Sequence, residues 1–445
     1  MNQRTQRLGS DPTHRILLRL ALPAISSLLI NATYNVVDSL FVGRFVGTDG
    51  LAAVGLNFPL QIFLISVGIL VGVGGSALIS RRLGEGDATG ADRAFGSSLG
   101  LILMFGVGIV VIGAPLAAPL VRAFGASRQV FPLARSYFAI IALGAPTLIA
   151  NQALNNFVYA EGNATVGFAA LAFSSVLNIF LDWLFIAGFG WGVAGAAWAT
   201  VISQGVATVA MLAYFALPAS NLRMNLCYCR EDLIEVIRIG FSASIRTLTV
   251  VALALVVNRQ AAQVQGDLGI AVASVVFRVV SIVVLPAFGI NQAYLPVAAY
   301  SYGAKSYGRV LSATWQAIAM ALLVCFSASA LVSVFSIPLA QLFNPDPEFV
   351  ATAARGFRIA FLLTPLIIFN LVGGGLFQAV GDARRALLVS ISRMAFFILP
   401  LMLILPSYYG LLGIWMSFPI GESLSATFST IVSWPQLRRL TATPR

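Results

Sequence analysis

About twelve long apolar stretches, separated by short polar turns, determine what this chain can fold into. A helix needs about 20 apolar residues to cross a hydrocarbon core about 30 Å thick. Of the 445 residues, 59% are hydrophobic and 10% are charged, which lies outside the range of soluble globular proteins. A membrane barrel would instead show short segments of alternating character. The sequence therefore predicts an all-α polytopic membrane protein.

The apolar stretches form two sets of six, which we number as predicted membrane-spanning helices, spans 1 to 12. Their predicted bounds are 16–43, 51–80, 94–120, 135–160, 165–188, 192–217, 234–261, 268–298, 310–337, 353–380, 386–408 and 410–433. The predicted domains are a tail at 1–15, a first lobe at 16–217, a connector at 218–233, a second lobe at 234–433 and a tail at 434–445. A polar connector suits two bundles that rock against each other around a central cavity.

The two halves of the chain resemble each other in register. A shift of 219 residues superposes Gly84 on Gly303, and near the end a shift of 218 superposes Gly192 on Gly410. Each repeat holds six spans, an even number, so the two copies share one orientation in the membrane. The sequence thus predicts two six-helix lobes related by a pseudo-two-fold axis along the membrane normal.

The formal net charge of +11 is distributed unevenly across the predicted membrane. If the N-terminus is cytoplasmic, the inner tails and loops hold 17 of the 27 Lys and Arg residues, and the outer side holds seven. This positive-inside bias predicts that both termini are cytoplasmic. We therefore expect a monomer in the cytoplasmic (inner) membrane, with the lipid bilayer and not nucleic acid as its large partner.

Two acidic residues, Asp38 and Asp182, lie inside apolar spans 1 and 5. An ionisable group there costs roughly 2.5–3.5 kcal/mol on insertion scales, so a functional role is the first hypothesis. The repeat places Val257 and Leu401 at the equivalent positions of the second half. Each acid lies about six residues before the outer end of its span, which predicts that both are level, ~9 Å below the boundary.

Further oxygen-bearing side chains are predicted in the same layer. Asn178 precedes Asp182 by one helical turn, and Thr200 lies at a similar depth in span 6. Tyr137 enters at the outer end of span 4. Carboxylate, amide and hydroxyl oxygens suit a hard cation such as Na⁺, and the same acids could carry a proton. Apart from H⁺ or Na⁺ as a coupling ion, we expect no cofactor.

Other polar residues within the spans have two interpretations. In the first lobe, polar stripes on spans 1 and 4 are formed by Asn31, Tyr34, Asn35, Asn151 and Asn155. Such stripes either join helices or contact a substrate. In the second lobe, the polar residues within or near spans are Arg246, Asn258, Arg278, Asn291, Gln292 and Arg393. The arginines either anchor helices or line a cavity, for which Arg246, Arg278 and Gln292 are the candidates.

The chain resembles the multidrug and toxic compound extrusion (MATE) family in several segments that occur in the family's order. They are LPAISSLLINATYNVVDSLFVGRFVGTDGLAAVGLNFP (22–59), GNATVGFAALAFSSVLNIFLDWLF (162–185), GVAGAAWATVISQ (192–204), PAFGINQAYLPVAAYSYGAK (286–305) and FQAVGDARRALLVSISRMAFFILP (377–400). The resemblance covers nearly the whole chain and is strongest to the DNA-damage-inducible protein F (DinF)-like branch. The family branch with acids in helices 7 and 10 fits less well, because span 7 holds only Glu235 and span 10 holds none.

The resemblance implies site residues as well as a fold. Asp38, Asn178, Asp182 and Thr200 match the ion site of the first lobe in the DinF-like branch, and Tyr34, Tyr137 and Asn155 match its polar network. It implies a V-shaped pair of lobes that exports small organic compounds, often cationic and amphipathic, in exchange for inward H⁺ or Na⁺. Ion and substrate would then weaken each other's binding.

Three other functions compete with this one. A flippase for a lipid-linked or otherwise anionic amphipathic substrate is the nearest, because Arg246 and Arg278 would give its cavity a positive charge. A passive channel would conduct without countertransport. A membrane enzyme is the least favoured, because no nucleophile–base set or metal cluster is evident in the sequence.

Overall fold

The structure, a computed structural model, describes residues 3–224 and 228–442. The ends of the predicted tails (1–2 and 443–445) and three residues of the predicted connector (225–227) lie outside the described residues. Within the described ranges the chain is almost entirely helical and contains no strand. The prediction of an all-α membrane protein is confirmed.

Between residues 3 and 442, outside the gap at 225–227, seventeen α-helices follow one another. They are α1 (Gln3–Ser10), α2 (Thr13–Phe45), α3 (Thr48–Leu56), α4 (Phe58–Glu85), α5 (Ala88–Ala123), α6 (Phe131–Leu143), α7 (Ala145–Ala160), α8 (Ala164–Asp182), α9 (Gly192–Ala216), α10 (Arg230–Gly303), α11 (Tyr307–Val334), α12 (Ser336–Phe343), α13 (Pro347–Ala360), α14 (Ile367–Val380), α15 (Ala383–Ile391), α16 (Leu399–Tyr409) and α17 (Leu411–Ala442). π-Helical turns at Trp183–Gly188 and Ser392–Ile398 extend α8 and join α15 to α16, and a 3-10 turn at Thr364–Leu366 precedes α14.

These helices account for the twelve spans. In the described part of the chain, nine helical stretches are long and apolar enough to cross a membrane, and the bent pair α6–α7 makes a tenth. One of the nine, α10, is two spans, because its backbone is non-helical at Gln265 and Gly266. α17, with 32 residues, covers the predicted twelfth span at 410–433, although it is not one of the nine.

Two spans that the sequence predicted as continuous are broken. Span 4 bends by 54° between α6 and α7, at Gly144 and just before Pro146. Span 10 is interrupted by the 3-10 turn that contains Pro365. A proline lacks the N–H that would continue the helical hydrogen bonds, which explains both breaks. The helix α2, by contrast, runs unbroken through Pro23.

The backbone repeats the predicted internal symmetry at its turns. Positive φ angles occur at four pairs of positions related by the 219- or 218-residue shift. The pairs are Gly47 and Gly266, Gly86 and Lys305, Gly162 and Gly381, and Gly192 and Gly410. Three pairs are glycine at both positions, as this left-handed conformation favours, whereas Lys305 adopts it with a φ of 57°. The two lobes are therefore copies in backbone conformation as well as in sequence.

The short helix α1, within the predicted N-terminal tail, joins the two lobes and was not foreseen. Its Thr5 hydroxyl donates to the carbonyl of Glu161 in the first lobe at 3.0 Å. In the second lobe, the guanidinium of Arg309 donates to the carbonyl of Leu8 at 2.7 and 2.9 Å. Leu8 is fully buried, so α1 is packed into the body of the protein.

We call the end of the molecule that holds α1 and the C-terminal end of α17 the termini side. There α4 of the first lobe crosses the end of α10 of the second lobe without intervening side chains. A Cβ atom on Gly84 would overlap the carbonyl oxygen of Tyr300, and one on Gly303 would overlap that of Arg81. The two contacts are equivalent, because the 219-residue shift relates Gly84 to Gly303 and Arg81 to Tyr300. We call this contact the glycine crossing.

Further contacts between the lobes occur along α4 and at the start of α5. Gly240 approaches the carbonyl of Leu70 so closely that it has no room for a Cβ. Arg81 forms an ion pair with Glu235. Beside it, Arg93 donates to the buried carboxylate of Asp232 at 3.1 Å.

At the opposite end, the elements pack within their own lobes. α3 contacts α2, α6 and α9, whereas α12 and α13 contact each other and α13 packs on α17. The two lobes therefore meet on the termini side at the glycine crossing. The V shape that the resemblance implies stays a prediction.

Candidate functional site

The two membrane acids lie in the first lobe on helices that pack against each other. Asp38 lies on α2 and Asp182 ends α8, and both helices contact α9. Asp38 precedes the end of α2 at Phe45 by seven residues, and Asp182 precedes the end of its π-helical turn at Gly188 by six. Both side chains are buried, with 8% exposure for Asp38 and none for Asp182.

Five polar atoms around the acids are buried without a hydrogen-bond partner in the described part of the chain. They are Oδ1 of Asp38, both carboxylate oxygens of Asp182, and both Oδ1 and Nδ2 of Asn178. Asp38 and Asp182 are also close enough to interact electrostatically. Buried polar groups are normally hydrogen-bonded, so an unpaired set requires an explanation. Four of these atoms are oxygens, which fits a proton or a hard cation such as Na⁺.

Two tyrosines and two glutamines enclose the acids. Tyr34 and Tyr137 are both in electrostatic range of Asp38, and Tyr137 is also in range of Asp182. The Tyr137 hydroxyl accepts a hydrogen bond from Gln61 of α4 at 2.6 Å, and that of Tyr34 accepts from Gln204 of α9 at 3.4 Å. The amides at 61 and 204 were not singled out from the sequence, although a glutamine in an apolar span is itself a signal.

The remaining residues predicted near the acids, Thr200, Asn31 and Asn35, lie on α9 and α2. Thr200 lies on α9, and its hydroxyl donates to the carbonyl of Ala196 at 3.1 Å, which leaves its oxygen able to accept or coordinate. Asn31 and Asn35 lie on α2 within hydrogen-bonding range of Tyr34. Asn31 itself is exposed.

Asn155, for which the resemblance implies a place in the first-lobe polar network, also reaches the second lobe. Its Oδ1 accepts a hydrogen bond from Nε2 of Gln292 at 2.9 Å, and this bond links α7 of the first lobe to α10 of the second. Gln292, predicted as a second-lobe cavity residue, therefore lies at the junction of the two lobes. This hydrogen bond joins a predicted residue of the first-lobe polar network, Asn155, to a predicted residue of the second-lobe cavity, Gln292.

The two arginines predicted to line a second-lobe cavity differ in environment. Arg246 is half-buried near Gly374 of α14. Arg278 lies on the eighth span, in the second half of α10, and is exposed.

An acid of the second lobe, Glu422 on α17, was missed in the sequence. It forms a buried ion pair with Arg393, whose Nη2 and Nε lie 2.5 and 2.9 Å from Oε1. This ion pair joins the segment that carries Arg393 to α17, as expected for an arginine that anchors helices. The shift of 218 or 219 places Gln204 and Ser174 at these positions in the first lobe. The buried ion pair is therefore specific to the second lobe.

We expect the Arg393–Glu422 pair to be essential for stability. Removing one partner leaves a buried charge uncompensated, which costs about 3–5 kcal/mol. Arg393→Gln and Glu422→Gln should therefore each lower the melting temperature of the detergent-purified protein markedly, and the double variant should recover part of the loss. Tryptophan fluorescence during heating measures this.

The control for that experiment is Arg385→Gln, which removes the more exposed ion pair with Asp382. Exposed pairs contribute about 0–1 kcal/mol, so its melting temperature should stay close to that of the parent. A single Arg393 or Glu422 variant that melts like the parent would contradict the assignment.

Comparison with known proteins gives one family. The family model MatE matches residues 23–184 and 243–404, one match in each lobe. Multidrug export protein MepA of Staphylococcus aureus (strain MSSA476) is 28% identical over 442 residues, covering 97% of this chain and 96% of MepA.

Solved structures resemble the whole chain. The outward-facing conformation of a multidrug resistance MATE family transporter of the MOP superfamily superposes with a TM-score of 0.94 at 27% identity, covering 100% of both chains. A MOP superfamily transporter from Pyrococcus furiosus Vc1 (DSM3638), described by the reverse polarity of its binding pocket, superposes with a TM-score of 0.93, again at 27% identity and 100% coverage of both.

Proposed function

The chain belongs to the MatE family of transporters, and from that premise we propose that it exports small organic, mainly cationic compounds in exchange for H⁺ or Na⁺. It is a multi-pass membrane transporter and not an enzyme. We place it in the cytoplasmic membrane as a monomer with both termini inside. The observation that carries the proposal is the set of five unpaired polar atoms on Asp38, Asn178 and Asp182.

The chemistry of these residues suits a coupling ion. The carboxylates of Asp38 and Asp182 are buried and close enough to interact, so neutralising them relieves both desolvation and mutual repulsion. A proton would do this at either acid. Sodium would be held by oxygens of Asp38, Asn178 and Asp182, with Thr200 as a further oxygen ligand. Either ion would neutralise the negative charge of these buried carboxylates.

Coupling follows if ion and substrate compete for Asp38. An outward-facing cavity with Asp38 ionised attracts an organic cation, and an arriving ion then neutralises the acid and weakens that attraction. Because linkage is reciprocal, the bound substrate weakens ion binding by the same factor. Tyr34 on α2 is hydrogen-bonded to Gln204 of α9, and Tyr137 on α6 is hydrogen-bonded to Gln61 of α4. A change in the charge of Asp38 would reach α4 and α9 through these two bonds.

The test is transport by the purified protein in proteoliposomes. Efflux of a fluorescent organic cation is followed under an imposed pH gradient and, separately, under a Na⁺ gradient. Faster efflux under one gradient than without either establishes coupled export and identifies the ion. Equal rates under both gradients and with none would contradict ion coupling.

The flippase is tested in the same vesicles. A fluorescent anionic lipid, assayed for movement between leaflets, would be translocated by a flippase and left in place by an exporter of small cations. Lipid translocation without efflux of the organic cation would replace the proposed function by the flippase.

A further inference from the structure

A cavity on the termini side lies between α2 and the start of α8, both of the first lobe. Its volume is about 160 Å³, and it is lined by Arg19 and Leu20 of α2 and by residues 162–166, where α8 begins. A cavity needs about 10–15 Å³ to hold one water, so this one has room for a phosphate group. Asp38 and Asp182 lie near the opposite ends of the same two helices, so this cavity is separate from the proposed coupling site.

Two side chains at this cavity have hydrogen-bond donors without partners. Asn163, the residue before α8, is 5% exposed, and its Nδ2 atom is buried with no partner in the described part of the chain. An asparagine at this position usually accepts from the first helical turn, but this side chain makes no such bond. Its terminal torsion is broad, so its amide N–H groups can turn towards an anion in the cavity. The guanidinium of Arg19 is exposed and, within the described residues, forms no hydrogen bond or ion pair.

The start of α8 also attracts negative charge. α8 has 19 residues, and the first N–H groups of an α-helix have no partner within the helix. The N–H of Val166 bonds the carbonyl of Asn163, and the two residues between them, Ala164 and Thr165, line the cavity. Aligned peptide dipoles make a helix N-terminus partly positive. Three features that favour an anion therefore meet at one cavity.

The second lobe supplies its own anion at the equivalent place. The 219-residue shift relates Arg19 to Arg238 and Asn163 to Asp382. The Asp382 carboxylate accepts a hydrogen bond from the N–H of Arg385 at 3.0 Å and so caps α15. The first lobe keeps the arginine but has a neutral amide where the second lobe has this carboxylate. The anion built into one lobe is missing from the other, which indicates an anion from outside the chain.

The nearest acid along the chain does not supply this anion. The carboxylate of Glu161 accepts hydrogen bonds from the hydroxyls of Tyr214 and Ser220 and from the N–H groups of Asn221 and Leu222. These donors belong to the end of α9 and to the connector, and they do not line the cavity. The charge of Glu161 is therefore compensated by donors of its own.

We propose that Arg19, Asn163 and the start of α8 bind a phosphate group. Arginine pairs with phosphate through its planar fork, and backbone N–H groups at a helix N-terminus are ready phosphate donors. A free phosphate ion and the headgroup of a membrane lipid share this chemistry. Leu18 and Leu22, on either side of Arg19, are 45% and 61% exposed, so they offer apolar surface to acyl chains beside the headgroup. This favours an anionic lipid as the source of the phosphate.

Native mass spectrometry of the detergent-purified protein tests this by detecting each bound molecule. The probes are dioleoylphosphatidylglycerol, dioleoylglycerol, which has the same acyl chains without the phosphate, and inorganic phosphate alone. The ratio of bound to free protein should be about tenfold higher for the phospholipid than for dioleoylglycerol, the effect of one charge-assisted hydrogen bond. Binding of inorganic phosphate with no preference between the two lipids would instead identify the free ion as the source.

Substitutions separate this site from general attraction between an anionic lipid and a basic protein. Asn163→Asp gives the first lobe the residue of the second, and Arg19→Gln removes the guanidinium, so each should lower the binding ratio about tenfold. The matched control is Arg238→Gln, which removes the equivalent exposed arginine and should bind like the parent. Aspartate is as favourable as asparagine before a helix, so Asn163→Asp should melt close to the parent, which separates lost binding from lost folding.

Two kinds of result would overturn the site. One is equal binding of the two lipids by the parent together with no binding of inorganic phosphate. The other is a preference for the phospholipid that survives in Asn163→Asp and Arg19→Gln, or that Arg238→Gln removes to the same extent. Binding is measured without a gradient or an exported compound, so failure here leaves the proposed export function standing.

Discussion

Asp38→Asn is expected to abolish gradient-driven export while the protein remains folded. The amide keeps the size and hydrogen-bonding capacity of the side chain but can neither bind a proton nor attract a cation as a carboxylate does. Because the substitution removes the group for which ion and substrate compete, we expect a loss of roughly 100-fold in gradient-stimulated efflux, the upper end of typical coupling between sites. Proteoliposome efflux with and without the gradient measures it.

The control for Asp38 is Asp49→Asn, which removes an exposed acid at the start of α3 in the same lobe. It should transport like the parent. The gradient-driven efflux rate of Asp182→Asn should lie between those of Asp38→Asn and Asp49→Asn. Asp182 is fully buried and close enough to Asp38 to contribute to binding the same ion. Full gradient-driven export by Asp38→Asn would refute the coupling site.

A methyl group at the glycine crossing is expected to open the termini side. A Cβ on Gly84 or Gly303 would meet a backbone carbonyl closer than 3.0 Å, and main chain cannot rotate away as a side chain can. Overpacking costs about 1–3 kcal/mol, which shifts a two-state equilibrium by roughly 5- to 150-fold. Gly84→Ala and Gly303→Ala should act alike, because the same contact occurs twice.

Thiol labelling reports this opening. Ser301→Cys, in a background without Cys227, Cys229 and Cys325, places a thiol at a fully buried position two residues from Gly303. Its rate of reaction with a hydrophilic maleimide should rise about tenfold or more in either alanine variant, in line with the expected shift in population. Gly308→Ala is the control, since its Cβ would meet nothing within 4 Å. An unchanged rate would show that the crossing does not hold this side closed.

Much of the fold could be predicted because its strongest determinants are local. Hydropathy requires a span wherever an apolar run is long enough, and a repeat of 219 residues fixes the symmetry of the lobes. The acids could be singled out because a carboxylate is rare in such a run. Both acids are buried on neighbouring helices, α2 and α8, while their depth in the membrane and the roles given to the site residues stay predictions.

What the sequence could not give depends on contacts between distant residues. Glu422 was overlooked because its neighbours in span 12 are small polar residues, and only the fold brings it to Arg393. The bond from Asn155 to Gln292 crosses between lobes, so no spacing along one helix predicts it. α1 is short and polar, and its position depends on hydrogen bonds to the carbonyl of Glu161 and from the guanidinium of Arg309, which are distant in sequence.

The glycine crossing also bears on how the range of exported compounds can change. Closure on the termini side relies on main chain meeting main chain, and backbone atoms are the same whatever residues line the cavity. Substitutions among the cavity side chains can therefore alter which drugs are carried without altering how the lobes close. Recognition of the exported compound can thus change while Gly84 and Gly303 keep the same backbone contacts.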